Sequence, residues 1–365
     1  MSDLAAVCFI ACHGGPADHF STFAESLPRV EVHASGPALK KFQERGIEVK
    51  HSFSIENISS QEEDALAEQI AKACAAASVV ITDVGHHFDI KIQKALAQYA
   101  VQTIRLAYYD NPEPYVPGGY SAVAAEVMMA SQGVLFANSN LAKTTVLKDS
   151  STPLDFGDLK KVGIGYYPVH QAEKMAKRRA SEHAKMREQL FLKHGVIDQG
   201  QKVLVYFGGN NDEYFTKAFP TFLSFLTPDL SEFVILVQQH PGAKAKNIEG
   251  KLLAKVELKA PKIILSDLSS DEAQIVADAA LYYQTSMGPQ FVLAGIPTLQ
   301  VGHETYHDIL VRNHLSPSVT SAEELKPTVI RTLEQFSTPQ QKVILEGLGI
   351  RSDWLETLKT FLAGG

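Results

Sequence analysis

The repeated order of short apolar runs, turns and helical stretches is the feature that most constrains how this chain can fold. Runs typical of buried strands include Ala5–Ala11 and Val79–Thr82 in the first half, and Lys202–Phe207 and Phe233–Gln238 in the second. Polar turn residues follow each of these runs. Strand, turn and helix repeated in this order predict a parallel sheet with helices on both faces. We therefore expect an α/β fold.

The length of the chain and the restart of this order at Lys202 indicate two domains. A chain of 365 residues is longer than one ordinary core needs, and the turn-rich stretch Gly195–Gln201 is the best boundary. We predict two Rossmann-like domains with parallel sheets that face a central cleft. The predicted divisions are an N-terminal domain over 1–170, a linker helix over 171–200, a C-terminal domain over 201–337 and a helix over 338–365 that packs back on the first domain.

Composition and charge exclude several classes of protein. Hydrophobic residues make up 45% and charged residues 21% of the chain, as in ordinary globular proteins, and the formal net charge of −7 argues against a nucleic-acid partner. The apolar start, Met1–Cys12, lacks a basic leader and predicts a buried first strand. No later stretch approaches the roughly 18 apolar residues of a membrane span. Cys8, Cys12 and Cys74 show no metal-ligand spacing, so we expect reduced thiols in a cytoplasmic protein.

Polar turns after the strands of the second half are the expected binding site. In open parallel sheets, ligands bind beyond the carboxyl ends of the strands, where helix N-termini leave backbone N–H groups for an anion. Neither a dinucleotide fingerprint nor a P-loop follows these strands. The three turns that qualify are Gly208-Gly209-Asn210-Asn211, His240-Pro241 and Gln284-Thr285-Ser286-Met287-Gly288-Pro289-Gln290.

Each turn offers a group that suits a nucleotide sugar, although each is also compatible with a plain structural turn. Gly208 and Gly209 let the backbone approach a phosphate, and Asn210 can hydrogen-bond a ligand. His240, held by Pro241, can offer a ring N–H or an imidazolium to a diphosphate. The third turn places a glycine and two hydroxyls at a helix N-terminus for phosphate, and a side chain that can reach a ribose or sugar hydroxyl. These residues are Gly288, Thr285, Ser286 and Gln290.

The run from Asp267 to Gly302 resembles the nucleotide-binding domain of the GT-B superfamily. That superfamily includes MurG-like and lipid A disaccharide synthase-like transferases and the non-hydrolysing nucleotide-sugar 2-epimerases. His240-Pro241 is similar to the HP motif of bacterial sialyltransferases and polyol-phosphate transferases, where that motif meets the donor phosphate. The resemblance covers roughly Lys202 to Gly302, and the first half only by its layout. It departs at Gln290, where many members carry a glutamate that holds the donor ribose.

Three turns of the first half are expected to supply the acceptor side and a general base. A base near neutral pH must deprotonate an acceptor hydroxyl, which favours histidine or a paired aspartate. Asp83 with His86 or His87 is the first choice and His13 the second, and the alternative is that these residues only cap helices and form turns. The residues expected to contact the acceptor are Gly14, Gly15, Asp110 and Tyr109.

No cofactor and no metal are expected at this site. The adjacent histidines His86 and His87 cannot easily point at one ion, and no further spaced ligands follow them. Helix N-termini and histidine can offset the charge of a diphosphate instead. The loop Val301–His307 is either a sugar-contacting loop or a plain turn.

Three functions stay open on the sequence. The first is a metal-independent glycosyltransferase that uses a nucleotide-sugar donor and a saccharide, lipid-linked or protein hydroxyl acceptor, as in the synthesis of cell-envelope polysaccharide. The second is a nucleotide-sugar 2-epimerase, and the third is an inactive GT-B scaffold that binds a nucleotide or a partner protein. The polar helix Gln171–His194 is either a solvated helix or a basic face for peripheral membrane contact.

Overall fold

The computed structural model describes residues 6–110, 120–139, 159–256, 261–303, 309–336 and 345–363. The chain divides into two compact units. Unit 1 consists of Met1–Tyr167 and Gly349–Gly365, and unit 2 consists of Pro168–Leu348. The helix that was predicted as a linker therefore lies within unit 2, and the C-terminal return to unit 1 begins at Gly349.

The helices and strands follow one another in α/β order. The elements of the first part are β1 (Val7–Ala11), α1 (Gly14–Ser26), β2 (Val30–Ser35), α2 (Gly36–Glu44), β3 (His51–Phe53), α3 (Ser60–Ala73), β4 (Val79–Thr82), α4 (His87–Tyr99), β5 (Ile104–Tyr109), α5 (Tyr120–Ala130), β6 (Gly133–Phe136) and β7 (Lys160–Gly163). The later elements are α6 (Val169–Lys193), β8 (Lys202–Phe207), a π-helical turn (Tyr214–Ala218), α7 (Phe219–Phe225), β9 (Phe233–Gln238), α8 (Ile248–Leu253), β10 (Lys262–Leu265), α9 (Ser270–Val276), β11 (Ala279–Tyr282), α10 (Gly288–Leu293), β12 (Thr298–Val301), α11 (Ile309–Arg312), β13 (Ser318–Val319), α12 (Ala322–Gln335) and α13 (Trp354–Ala363). Short 3₁₀ turns cover Pro228–Leu230 and Lys244–Lys246.

Unit 1 is built on a seven-stranded parallel sheet in the order β3-β2-β1-β4-β5-β6-β7. Alternate side chains of β1 point to opposite faces, as the pleat requires. Phe9 packs on one face in a cluster that includes α1, α2 and residues of α13. Cys8 and Ile10 pack on the other face against α3 and α4. Both faces of the sheet are therefore buried under helices.

Unit 2 is built on a six-stranded parallel sheet in the order β10-β9-β8-β11-β12-β13. On one face, Tyr206 stacks on Phe222 of α7 with ring centroids 3.9 Å apart. On the other face, Phe207 packs on Phe291 of α10 at 4.5 Å. The predicted α/β fold of two parallel sheets with helices on both sides is thus confirmed.

Helix α6 packs on unit 2 through several of its cations. Arg179 donates to the carbonyl oxygens of Gln274, Ile275 and Ala277, which caps the C-terminal end of α9. Arg187 pairs with Asp198 in a bidentate contact. The buried residues of the helix are Ala172, Met175, Leu190 and Phe191, while Lys174, Lys177 and Lys185 are exposed. None of the helices in the described ranges is long and apolar enough to cross a bilayer.

Candidate active site

The strand order of unit 1 reverses between β1 and β4, which is where ligands bind in open α/β sheets. From β1 the chain continues outward to β2 and β3, whereas β4 leads the other way to β5, β6 and β7. The turns after β1 and β4 therefore diverge above this point and leave a crevice. His13 and Asp83, both predicted site residues, lie in these two turns.

Asp83 links the two turns through one oxygen of its buried carboxylate. Its Oδ2 accepts the backbone N–H groups of Cys12 at 2.8 Å and His13 at 2.9 Å. The same oxygen lies 3.2 Å from Nδ1 of the His13 ring. Because a carboxylate can only accept here, Nδ1 of His13 carries the proton and Nε2 keeps its lone pair when the ring is neutral.

The roles expected for these two residues are therefore reversed by the structure. The Asp83 side chain is 0% exposed, so it cannot reach an acceptor hydroxyl, whereas the His13 side chain is 39% exposed. An imidazole held by a buried carboxylate in this tautomer is the arrangement of a general base. His13 is thus better placed to act as the base, and Asp83 to orient it.

A second buried carboxyl, Asp89, lies beside Asp83 and was not singled out in the sequence. Its Oδ2 accepts the backbone N–H of His86 at 2.8 Å as part of the capping box of α4. Burial raises the pKa of Asp89 well above its usual range, and the charge of Asp83 raises it further. Asp89 therefore favours its protonated form more than an ordinary aspartate does.

The two imidazoles of the site have opposite pKa shifts. Burial lowers the pKa of His13, but the hydrogen bond and charge of Asp83, with the charge of Asp110, outweigh it, so the net shift is upward. Burial and the neighbouring His13 lower the pKa of His86. Since Nδ1 of His86 accepts the backbone N–H of Phe88 at 3.0 Å, its Nε2 carries the ring proton. The centroids of the two rings are 6.4 Å apart, so the N–H of His86 lies on the same side of the sheet edge as the His13 ring.

A glycine is required at position 85 because the His13 ring lies over the turn after β4. A Cβ atom at this position would be 2.4 Å from Cε1 of the His13 ring. Any other residue would therefore displace the ring. The sequence gives no sign of this contact, because it joins two separate turns.

Of the four predicted acceptor-binding residues, three lie at this edge and one does not. Gly14 and Gly15 begin α1, and a Cβ on Gly15 would be 2.8 Å from a carboxylate oxygen of Asp110. Tyr109 is only 1% exposed and packs with Phe136 in the core, because its position on β5 points it under α5. The prediction that Tyr109 contacts an acceptor is therefore wrong in this structure. The rest of the Asp110 turn, residues 111–113, lies outside the described residues.

In unit 2 the strand order reverses between β8 and β11, and the three predicted turns follow adjacent strands. Phe207 pairs with Gln238 of β9 on one side and with Tyr282 of β11 on the other. The three strands therefore end at the same level of the sheet. With about 4.8 Å between neighbouring strands, the ends of β9 and β11 are roughly 10 Å apart. That span suits one diphosphate.

The glycines after β8 are explained by packing rather than by open backbone. A Cβ on Gly208 would lie 2.7 Å from the hydroxyl of Tyr214, and one on Gly209 would lie 2.9 Å from the ring of the same tyrosine. The N–H of Gly208 is already donated to the carbonyl of Gln238 at 2.9 Å. Asn210 is exposed beyond this turn. The structure therefore does not support the expectation that Gly208 and Gly209 open the backbone to a phosphate.

Glu249 lies beneath the same turn and is a buried carboxyl that the sequence did not reveal. It is 0% exposed, and its Oε2 accepts from Nε2 of Gln239 at 3.2 Å. Its Oε1 would lie 3.0 Å from a Cβ on Gly208. Glu249 therefore supports the turn from below and does not face a ligand. Glu249 lies in the first turn of α8 and belongs to no motif, so the sequence did not indicate its role.

His240 presents a neutral N–H at the end of β9. Its Nδ1 accepts the backbone N–H of Gly242 at 3.0 Å, so Nε2 carries the proton of the neutral ring. Burial lowers the pKa of His240 below its usual value. Of the two states considered from the sequence, the ring N–H is therefore the one favoured at neutral pH. Pro241 is exposed in the turn that holds this ring.

The turn after β11 leads to a helix N-terminus that its own side chains leave open. In the described part of the chain, the N-cap residue of α10, Met287, makes no side-chain cap. Thr285 Oγ1 accepts the N–H of Met287 at 3.1 Å and can still donate its own proton, and Ser286 is exposed. Gly288 is required by packing, since a Cβ there would be 2.7 Å from Leu310. The hydroxyls and the first-turn amides are the groups that can meet an anion.

The orientation of the Gln290 amide is determined by a chain of hydrogen bonds. Gln274 donates its Nε2 to the carbonyl of Ser270 at 3.3 Å, which can only accept. Its Oε1 must then accept Nε2 of Gln290, at 3.1 Å. Among the described residues, Oε1 of Gln290 is left without a partner. Gln290 therefore presents an acceptor to hydroxyl donors, as a glutamate would.

The loop after β12 contacts the same end of the sheet. Gly302 is packed against the ring of Tyr283, and His303 lies 3.5 Å from Glu213 through Nε2. The rings of Tyr283 and His303 are 5.1 Å apart. Residues 304–307 of the loop Val301–His307 lie outside the described ranges.

Comparisons with known proteins identify the fold. No family model matches the chain, and no curated protein sequence matches it. Its structure is similar to the UDP-GlcNAc 2-epimerase of Methanocaldococcus jannaschii in complex with UDP-GlcNAc and UDP, with a TM-score of 0.68 at 13% identity over 99% of this chain and 100% of that one. It is also similar to the UDP-GlcNAc 2-epimerase of Neisseria meningitidis bound to UDP-GlcNAc, with a TM-score of 0.66 at 12% identity over 99% and 100%.

A glycosyltransferase of Rickettsia africae is similar as well, with a TM-score of 0.61 at 11% identity over 99% of this chain and 98% of that one. Likeness at these identities shows the fold and not the activity. The chain therefore has the two-domain α/β fold of the GT-B superfamily, in the form shared with the 2-epimerases. The role of His240-Pro241 as an HP motif stays a prediction.

Proposed function

We propose that this protein is an enzyme that acts on a nucleotide sugar, and specifically a metal-independent glycosyltransferase that moves the sugar to a hydroxyl acceptor. Unit 2 binds the phosphates and the ribose or sugar hydroxyls of the donor. Unit 1 supplies the base that deprotonates the acceptor hydroxyl, on a saccharide, a lipid-linked or a protein acceptor. Both sites lie at the topological switch point of their sheet, where this type of fold binds ligands.

Donor binding is supported by the neutral polar groups that follow β9 and β11. The N–H of His240, the hydroxyls of Thr285 and Ser286 and the open N-terminus of α10 can all donate to phosphate oxygens. Gln290 in the first turn of α10 accepts, which suits a hydroxyl next to the phosphates. Preorganised donors of this kind offset the charge of a leaving diphosphate without a cation.

The observation that carries the proposal is the contact between Nδ1 of His13 and the buried Oδ2 of Asp83. A scaffold that only binds a nucleotide has no need for an imidazole held in this tautomer by a fully buried carboxylate. General-base catalysis by a positioned group contributes typically 10²–10⁴-fold in rate. The His13→Asn variant should therefore lose at least ~100-fold in kcat with little change in KM.

The matched control is His87→Asn, which changes an exposed imidazole next to the site. The assay measures release of the nucleotide diphosphate from UDP-GlcNAc and related nucleotide sugars, with and without a panel of hydroxyl acceptors. Acceptor-dependent release that is lost in His13→Asn and kept in His87→Asn supports the transferase. Equal rates for both variants would remove His13 from the mechanism.

A second function, nucleotide-sugar 2-epimerase, is favoured by a different observation. His13 and His86 lie with rings 6.4 Å apart and have pKa values shifted in opposite directions, which is the pattern of an acid and a base acting together. Removal and return of a proton at carbon needs such a pair, and two structurally similar proteins are UDP-GlcNAc 2-epimerases. Deuterium uptake from D₂O into the sugar without any acceptor would select the epimerase, and its absence with acceptor-dependent release would select the transferase.

A further inference from the structure

A cluster of two thiols and one imidazole lies in unit 1 under α3, among groups that the proposed function does not use. Cys8 comes from β1, His33 from β2, and Cys74 from the C-terminal end of α3. His33 pairs with Ile10 in the sheet, which brings it to the same face as Cys8. We call these three side chains the thiol–imidazole cluster.

The ligand atoms of the cluster lie at distances that fit one metal ion. The two sulfur atoms are 3.4 Å apart, and Nε2 of His33 is 3.9 Å from Sγ of Cys74. All three ligand atoms lie within 4.8 Å of one another. Tetrahedral Zn²⁺, with bonds of ~2.3 Å to sulfur and ~2.0–2.1 Å to nitrogen, separates sulfur from sulfur by about 3.8 Å and sulfur from nitrogen by about 3.5 Å. The two measured distances are within a few tenths of an ångström of these values, and the three atoms would occupy three of the four tetrahedral positions.

The buried imidazole is not satisfied by the surrounding protein. Cys8 and His33 are 0% exposed, and Cys74 is 1% exposed. Nε2 of His33, the nitrogen that faces the cluster, has only the long contact to Sγ of Cys74 among the described residues. An unpaired buried polar group is costly, so such a residue is expected to have a partner. Both cysteines are free thiols and available as ligands.

The charge of the cluster favours a divalent ion. Two thiolates and a neutral imidazole around Zn²⁺ carry no net charge, whereas a monovalent ion would leave one negative charge in a dry core. Zinc is therefore the metal ion that best suits this buried cluster.

We propose that Cys8, His33 and Cys74 bind one Zn²⁺ ion, with the protons of both thiols released to solvent. The ion ties β1, β2 and the end of α3 together and has a structural role. Exposed His51, whose ring lies 4.8 Å from that of His33, marks the path from the surface. The site does not depend on the proposed function, because its ligands are distinct from His13 and Asp83.

The test compares metal content and cobalt spectra of the full chain and three variants. Reduced protein purified without chelators is measured for zinc by elemental mass spectrometry, then stripped and titrated with Zn²⁺ against a competing chelator. Wild type should bind one ion, and Cys8→Ser and Cys74→Ser should bind at least about 100-fold more weakly, because loss of a ligand exceeds the cost of losing an outer partner. Co²⁺ in the wild type should show a thiolate charge-transfer band that both variants lack.

Cys12→Ser is the matched control, since Cys12 is buried on the same face but lies with Asp83 and Asp89 instead. It should keep zinc binding and the cobalt band. Loss of binding in Cys12→Ser with retention in Cys8→Ser would move the ion to the other cluster and overturn the proposal. Absence of zinc binding in folded wild type, or a Cys8–Cys74 disulfide in protein purified under air that leaves only the thiol of Cys12 titratable, would overturn it as well.

Discussion

The strand ends of unit 1 and unit 2 occupy the same place in their sheets but have different chemistry. In unit 1, buried carboxyls hold an imidazole whose pKa is raised. In unit 2, the groups that face outward are neutral: the ring of His240, hydroxyls, an amide and a helix N-terminus. On the proposed function, this difference means that one unit moves a proton and the other holds an anion and its hydroxyls. We expect four changes to affect the two units differently, and the first of them to have the largest effect.

Asp83→Ala should have the largest effect, because it leaves the N–H groups of Cys12 and His13 without their acceptor and the His13 ring without its partner. Each buried donor left unsatisfied costs about 1–3 kcal/mol, so the free energy of unfolding should fall by about 2–4 kcal/mol. Urea denaturation measures it. Asp212→Ala, at an exposed position in unit 2, is the control and should change stability by less than about 0.5 kcal/mol. Equal effects would mean that Asp83 does not hold the turns together.

Gly85→Ala tests whether the position of the imidazole matters in unit 1. The added Cβ would be 2.4 Å from the His13 ring, so the ring must move away from the site. Inserting one methyl into such a contact costs about 1–3 kcal/mol, and a displaced base should lower kcat by at least ~10-fold. In unit 2, Gly288→Ala places its Cβ against Leu310 instead. We expect Gly288→Ala to reduce stability and nucleotide affinity without displacing the His13 ring. Equal losses of kcat in Gly85→Ala and Gly288→Ala, at constant KM, would contradict this difference between the units.

The pH dependence separates the two units through their histidines. His13 has a raised pKa in the folded protein, so the reaction rate should rise with pH through a midpoint above 6.5, where the ring loses its proton and becomes a base. The stability contributed by the protonated pair is fully present below the unfolded pKa of ~6.5 and is lost as pH rises through the folded value. Asp83→Asn should move the rate midpoint and the NMR titration of His13 to lower pH. His240, whose pKa is lowered, should titrate below 6.5 in both the wild type and Asp83→Asn. A His13 midpoint that does not change in Asp83→Asn would contradict Asp83 as the cause of the raised pKa.

Gln274→Leu should have the smallest effect and acts only on unit 2. It removes the acceptor that holds Nε2 of Gln290 and frees the amide to rotate, so hydroxyl donors lose a preorganised partner. We expect UDP affinity to fall roughly 3–10-fold, the equivalent of about one hydrogen bond, with less change for inorganic pyrophosphate, which has no ribose. Calorimetry with the two ligands measures this difference. Gln93→Leu, which removes a buried amide of unit 1, is the control for general loss of stability; equal weakening of both ligands in Gln274→Leu would contradict the role of Gln290.

Much of the fold was predictable from local pattern. Strands β4, β8 and β9 begin and end where the apolar runs Val79–Thr82, Lys202–Phe207 and Phe233–Gln238 do. Short elements were missed, because a two-residue strand such as β13 or a three-residue strand such as β3 is too short for any periodicity. Strands of this size form only because the sheet already offers a neighbour with open backbone groups.

The sequence by itself determined the α/β order, the polar turns after the strands and the presence of His13, Asp83, His240 and Gln290 in them, since these depend only on local periodicity and turn chemistry. Only the tertiary structure decided which groups meet. It buried Tyr109 and Asp83, brought Asp89 beside Asp83, and gathered Cys8, His33 and Cys74 from three separate elements. The physical reason is that burial and pairing depend on contacts between residues far apart in the chain, and such contacts leave no spacing in the sequence to read.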